Sequence, residues 1–269
     1  MKTYALFGSP IGHSLSPVMH GAAFTEAGVD ACFRTFETDR ASEVRRIVEE
    51  EDVAGACVTI PLKVSLLEVL DEVGDAARRI GAVNTIIRRG NRLLGENTDW
   101  IGIARSLEKL MGPIAGKRFL VLGAGGTARA ALHAVLSGDG NAVISSRRYD
   151  PAHQLAEEFS CEALPLERLE LVRADCCINT TPVGMSNYDE GTPLDSALLH
   201  HFRWVFDVIY TPRATRLVRE ALKAGCIAAG GLDMFVYQGA EQFRLWTNLE
   251  PPVEVMTNVA GRMLDSEEN

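Results

Sequence analysis

The sequence predicts an α/β protein with mostly parallel sheets, divided into two domains near Asp99. Three observations carry that expectation. Short apolar runs alternate with helix-period segments along the chain, as in successive βαβ units. The apolar run that ends at Leu122 passes straight into a glycine-rich turn and then a helix, which opens a fresh β-α-β series. A length of 269 residues also allows two modest domains, since domains usually hold ~100–200 residues.

Taken in order, the first half opens with a strand over residues 4–8. A helix follows at Ser16-Pro17, with Ser16 as its cap, Pro17 at the first helical position and Gly28 at its end. A strand over 32–37, a helix over 42–50 and a strand over 55–60 come next, and Pro61 opens another helix. Residues 82–88 and 92–94 read as two strands joined by a turn at Arg89-Gly90-Asn91. A helix over 99–111 leads to Gly112-Pro113 and Gly116. The second half reads as a strand to Leu122, a helix over 126–136, and strands over 141–146, 174–179 and 204–208. Two helical segments split near Pro251-Pro252 close the chain, and the acidic tail 265–269 is expected to fray.

Composition narrows the function. Hydrophobic residues make up 46% and charged residues 23%, as in ordinary globular proteins. The formal charge of −9 argues against nucleic acid as a partner, because such proteins carry a basic footprint. It leaves anionic small ligands open, since a local basic pocket can sit in an acidic protein. The first eight residues lack the longer apolar region and cleavage site of a signal peptide, and no apolar stretch is long enough to span a bilayer. The six cysteines form no C-x-x-C pair and no zinc-spaced cluster, so no metal is expected. Cys176 and Cys177 read as core residues of a reduced, cytoplasmic protein.

The glycine turn carries the first chemistry. Gly123-Ala124-Gly125-Gly126-Thr127-Ala128 fits G-x-G-x-x-A. Gly123 permits the tight exit from the strand, Gly125 lets a pyrophosphate approach the backbone, and Ala128 lets helix and strand pack closely. The helix N-terminus offers free N–H groups and a favourable dipole to the anion. Alone the pattern is weak, and a tight turn without ligand has the same form; the preceding strand, following helix and next strand favour a dinucleotide. That next strand ends in Ser146-Arg147-Arg148 rather than in the acidic residue that would hold a ribose hydroxyl of NAD. Guanidinium groups suit the 2′-phosphate of NADP. Two solvated arginines on a loop are the plain alternative, and nearby Asp150 leaves NAD open.

Further polar segments lie at element ends. They are Gly8 to Pro17 with Ser14 and Ser16, Thr59-Ile-Pro61-Leu-Lys63, Asn84-Thr85, and Asn97-Thr98-Asp99. Asn179-Thr-Thr-Pro-Val-Gly184-Met, Asp207-Val-Ile-Tyr210 and Gly231-Leu-x-Met234-x-x-x-Gln238 follow beyond the glycine turn. Together, in this order and over nearly the whole chain, these segments resemble the shikimate dehydrogenase family. The resemblance implies reduction of 3-dehydroshikimate to shikimate with NADPH, on the route to the aromatic amino acids. It implies an α/β substrate domain over 1–99 with 238–269, a Rossmann-type domain over 100–237, and a cleft between them. It further implies that Ser14 and Ser16 hold the substrate carboxylate, although Ser16 is equally a plain helix cap. Thr59, Asn84, Tyr210 and Gln238 would read the ring hydroxyls, with Gly231 on the cofactor side.

Lys63 and Asp99 are the expected catalytic pair. Each alone reads more simply as a solvated surface charge. In a ketone reduction, negative charge grows on oxygen, and an ammonium can stabilise it and donate a proton. A neighbouring carboxylate favours the charged lysine. The chain departs from the common family pattern at Cys57, where many members have Asn; losing that amide is expected to reshape hydroxyl recognition. Two other readings stay open: a quinate/shikimate dehydrogenase using NAD or NADP, and an inactive shikimate-binding regulatory protein. The expected partner is a small-molecule substrate, with no nucleic acid and no membrane. Oligomeric state is not fixed by the sequence, and a homodimer is left open.

Overall fold

A computed structural model describes residues 1–186 and 191–267. The chain forms two compact units, one built from Met1–Thr98 with Val236–Glu267 and the other from Asp99–Phe235. Both are α/β. No described helix is long and apolar enough to cross a membrane.

The first unit contains β1 (Lys2–Gly8), α1 (Ser16–Glu26), β2 (Ala31–Glu37), α2 (Ala41–Glu50), β3 (Val53–Val58) and α3 (Leu62–Ser65). It continues with β4 (Glu72–Val73), α4 (Asp75–Ile80), β5 (Thr85–Arg89) and β6 (Arg92–Glu96). The strands order as β2-β1-β3-β5-β6-β4. β1 runs parallel to β2 and β3, whereas β5 is antiparallel to both β3 and β6. The parallel expectation therefore holds until the hairpin, where a short turn can join only antiparallel strands. Gly90, at φ 63°, supplies the left-handed backbone that this turn needs.

Alternation along β1 splits its side chains between two buried faces. Ala5 and Phe7 join Val44 and Val48 of α2 and Val53, Ala56 and Val58 of β3 in one core. Tyr4 lies on the other face, stacked on Phe24 at 4.9 Å and on Trp246 at 5.0 Å. His20 is fully buried in that aromatic layer, parallel to Phe33 at 5.0 Å. Its Nδ1 has no hydrogen-bond partner. Burial is the main cause that lowers its pKa to about 4, partly offset by a hydrogen bond to Gln242.

A lowered pKa means that the unfolded chain takes up a proton that the folded chain refuses. Stability from this site is then intact above pH 6.5 and lost as pH falls toward 4. Relative to His20→Phe, the wild type is expected to lose on the order of 3 kcal/mol across that window. Urea melts of the two proteins at a series of pH values measure the difference; a gap independent of pH would refute the buried neutral histidine.

One local expectation needs correction. Ser16 does not cap α1; it occupies the first helical position, Leu15 is the N-cap, and no side chain caps the helix there. Ser14 Oγ instead accepts the Ser16 N–H at 3.3 Å. The Ile11–Ser14 turn, closed by Ser14 N–H to Ile11 O at 3.1 Å, delivers Ser14 to the helix start.

The second unit contains α5 (Asp99–Met111), β7 (Arg118–Leu122), α6 (Gly126–Ser137), β8 (Asn141–Ser145), α7 (Tyr149–Phe159) and β9 (Glu162–Ala163). β10 (Cys176–Asn179), β11 (Trp204–Asp207), α8 (Arg216–Lys223) and β12 (Ile227–Ala229) follow. Its sheet is parallel throughout, ordered β12-β11-β10-β7-β8-β9. β7 enters first and lies centrally; the chain winds outward through β8 and β9, then returns to β10 on the other side. That reversal creates a topological switch point between β7 and β10, the place where open parallel sheets bind ligands. Cys176 and Cys177 are fully buried, as core residues should be. Finally α9 (Leu232–Thr247) carries the chain back into the first unit, where α10 (Val253–Glu267) ends it.

Candidate active site

The glycine turn sits at the switch point. Gly123 has φ 117°, and a Cβ there would lie 2.5 Å from Thr180 Oγ1, just beyond β10. Both the backbone angle and the close neighbour therefore demand glycine. Nothing lies within 4 Å of where a Gly125 Cβ would be. Gly125 is also the N-cap of α6, with no side chain accepting the first N–H groups. Ala124, Gly126 and Thr127 line the same exposed or half-buried turn, and Ala128 is fully buried against the sheet. Open approach and uncapped helical N–H groups fit a pyrophosphate.

Ser146, Arg147 and Arg148 follow β8, and both guanidinium groups are exposed. Ser146 Oγ donates to Arg148 O at 2.5 Å and tightens that loop. If Arg147 grips the 2′-phosphate, Arg147→Ala should weaken NADPH by about ten- to a hundredfold, the loss of one charge-assisted contact. NADH should hardly change. Equal losses for both coenzymes, read from KM, would remove Arg147 from that role.

Gly231 answers to a different demand. A Cβ there would stand 2.0 Å from Val208 O, so close backbone packing behind β11 accounts for the glycine without a ligand. Tyr210 lies in the loop after β11, half-buried, with its ring 4.6 Å from Phe235.

In the first unit the substrate candidates gather at element ends. Ser14 Oγ donates to Ser16 Oγ at 3.2 Å, so the two hydroxyls are adjacent at the start of α1. Thr59 follows β3 and is anchored through its N–H to Phe7 O at 2.9 Å. Gly8 makes room for it, since a Cβ at Gly8 would fall 2.4 Å from Thr59 Cγ2. Lys63 is half-buried on α3, and its carbonyl accepts the Val83 N–H at 2.7 Å. That bond ties the lysine backbone to the residue preceding Asn84.

Asn84 is 2% exposed and its amide orientation is determined by its partners. Its Oδ1 accepts the Thr98 N–H and the Thr85 hydroxyl, each at 2.7 Å. A backbone N–H can only donate, so the facing atom must be oxygen. Asn84 Nδ2 then donates to Thr98 Oγ1 at 3.0 Å and Gln238 Oε1 at 3.3 Å. Asn84 and Gln238, far apart in sequence, are thus direct partners. Asp99 comes next in the chain after Thr98; it is 4% exposed and opens α5.

Thr85 and Thr98 stood in the polar segments without an assigned role, and Gln242 was not singled out by sequence at all. Gln242 stands one helical turn after Gln238 on α9, which is the spacing that marks a shared face. Cys57, where the family pattern has Asn, borders the same cluster. It is 5% exposed, and its thiol donates to Gln242 Oε1 at 3.0 Å and lies 3.6 Å from His20 Nε2. An amide does reach this position, from α9 rather than from β3. Among the described residues no group of His, Cys, Asp and Glu side chains is arranged to hold a metal ion.

Comparison with known proteins agrees with this architecture. Residues 6–86 match the shikimate dehydrogenase substrate binding domain, and residues 231–260 match the shikimate 5′-dehydrogenase C-terminal domain. A curated relative, shikimate dehydrogenase (NADP(+)) of Bacillus cereus strain B4264, is 40% identical over 95% of this chain and 96% of its own. The crystal structure of shikimate 5-dehydrogenase from Thermus thermophilus, in complex with NADP(H) and shikimate, superimposes with a TM-score of 0.87 at 36% identity. That match covers 97% of this chain and 99% of the other. Quinate dehydrogenase from Corynebacterium glutamicum, in complex with NAD, gives 0.86 at 28% identity over 96% and 98% of the two chains. With identity at this level over nearly its full length, the chain belongs to the shikimate dehydrogenase family.

Proposed function

We propose that the protein catalyses the reversible, NADPH-dependent reduction of 3-dehydroshikimate to shikimate, a step toward chorismate and the aromatic amino acids. The observation that carries this reading is the buried Asn84–Thr98–Gln238 cluster, which leads in sequence directly into Asp99. Such a set of fixed donors and acceptors suits a polyhydroxylated ring, because an analogue lacking a hydroxyl would leave buried polar groups unpaired. Residues 1–99 with 238–269 serve as the substrate domain and 100–237 as the dinucleotide domain in this reading.

NADPH, when bound at residues 123–128 and 146–148, supplies the reducing equivalent. Lys63 gives a proton to the ketone oxygen in reduction and takes it back in oxidation. Asp99 favours the charged ammonium and binds an adjacent hydroxyl. Ser14 and Ser16 hold the substrate carboxylate with two hydroxyls at a helix start. Thr59, Asn84, Tyr210 and Gln238 read the ring. The cytoplasm is the matching compartment, since all six cysteines are free thiols.

Likeness to an NAD-bound quinate dehydrogenase favours one second reading, a broader quinate/shikimate enzyme. Steady-state kinetics with shikimate and quinate against NADP and NAD separate the two. The first reading requires the highest kcat/KM for shikimate with NADP. Comparable values with quinate or NAD select the second, and no turnover with any pair refutes both.

A further inference from the structure

Gln242 is 1% exposed, and its side-chain amide is anchored at both ends. Nε2 donates to Asn84 O at 3.2 Å and Thr85 Oγ1 at 3.1 Å, while Oε1 accepts the Cys57 thiol at 3.0 Å. The carbonyl of Asn84 can only accept, so nitrogen must face it, and the amide has a single orientation. That orientation propagates. With its oxygen receiving the Gln242 N–H, the Thr85 hydroxyl directs its own hydrogen to Asn84 Oδ1 at 2.7 Å. Asn84, with Oδ1 also held by the Thr98 N–H, presents Nδ2 to Gln238 Oε1. Hydrogen bonds thus run in one direction from Gln242 through Thr85 and Asn84 to Gln238, and they start and end on the same helix one turn apart.

We propose that Gln242 is a positioning residue for substrate recognition, holding in place, through Thr85 and the Asn84 carbonyl, the Asn84 amide whose orientation the Thr98 N–H fixes, so that Asn84 and Gln238 meet the ring hydroxyls. This rests on the function proposed above. Gln242 lies behind the residues assigned to the substrate, so its effect is indirect and belongs to binding, not to proton transfer. A neighbour that merely filled space would be replaceable by any side chain of the same length. Gln242 fixes polarity as well as volume.

The test uses the full chain with shikimate and NADP. Gln242→Met keeps the length and removes the polarity; Thr85→Val keeps the shape and breaks the chain at its second link. Each should raise the KM for shikimate about three- to tenfold, as expected for one neutral hydrogen bond's worth of orientation. Turnover and the KM for NADP should stay close to wild type. Calorimetric titration of shikimate should show the same weakening. In an Asn84→Ala background, Gln242→Met should add nothing further, because its route to the substrate is gone. Full additivity there, or an unchanged shikimate KM in both single variants, overturns the proposal. Should Gln242→Met not fold, Thr85→Val alone decides by the same two criteria. A wild-type chain that neither binds nor oxidises shikimate overturns the proposed function itself, a result distinct from these.

Discussion

Lys63→Ala is expected to lower turnover by ~10²–10⁴-fold, the usual contribution of a positioned general acid or base. The structural part of the site should survive, because Lys63 supports the fold through its backbone, whose carbonyl accepts from Val83 at 2.7 Å. An alanine keeps that bond. Thermal melts of wild type and variant should therefore nearly coincide while kcat separates. Lys63→Arg sharpens the test. A guanidinium keeps the positive charge but does not give up its proton, so charge stabilisation and proton transfer come apart. If Lys63 transfers the proton, Arg should rescue little of the lost turnover. Turnover within a few-fold of wild type in the alanine variant would sink the role.

Sequence reached the parts of this site that depend on local geometry. Gly123 declares a turn because its backbone angle excludes most other residues, and the apolar strand before it gives the turn a position in the sheet. Gly90 marks the hairpin for the same reason. Helix α5 is legible from its apolar spacing over Asp99–Met111. What sequence missed depends on tertiary contacts. Ser16 looked like a cap by residue type, yet the preceding turn places it at the first helical position, with Leu15 as the N-cap and Ser14 Oγ accepting its N–H. Helix α4, six residues long, is too short for a period to show; α7 and α8 do carry an apolar face, Ala152, Leu155 and Ala156 in one and Leu217, Val218 and Ala221 in the other, and that spacing was a signal passed over. Gln242 is part of a Glu-Gln pair on a mixed helix and reads as a solvated face; only the folded chain shows it buried against Cys57, Asn84 and Thr85. Its four-residue spacing from Gln238 was the one available signal. His20 likewise gave no local sign of burial, since the Phe33 and Trp246 rings that enclose it come from distant segments.

Asp207→Ala should cost stability on the order of 1–3 kcal/mol for each buried donor that it leaves unpaired. Asp207 ends β11 and is fully buried. Its Oδ1 accepts from Asn179 Nδ2 at 3.0 Å and from the Ile209 N–H at 3.1 Å, while Oδ2 accepts the Thr215 hydroxyl at 2.7 Å. Alanine leaves all three donors without this acceptor. Two of them organise loops at the carboxyl ends of strands: Asn179 also accepts from the Thr181 N–H, and Thr215 caps α8. NADP affinity should therefore fall together with stability, since those loops flank the switch point. Asp207→Asn behaves differently. Its Oδ1 retains two bonds, and its Nδ2 can donate to Thr215 once that hydroxyl rotates. Burial raises the Asp207 pKa to about 6, opposed by the bonds from Thr215, Ile209 and Asn179. Folding then favours the protonated acid. Stability from this group is present below the unfolded value of 3.8 and lost as pH rises through 6. Measured against Asp207→Asn, the wild type should weaken by on the order of 3 kcal/mol across that window and stay level above it. The slope is opposite to that of His20, so over pH 4–6 the two nearly cancel in wild type, and only the paired variants separate them. A wild type that gains on Asp207→Asn as pH rises would mean that the three donors outweigh burial and hold the carboxylate charged.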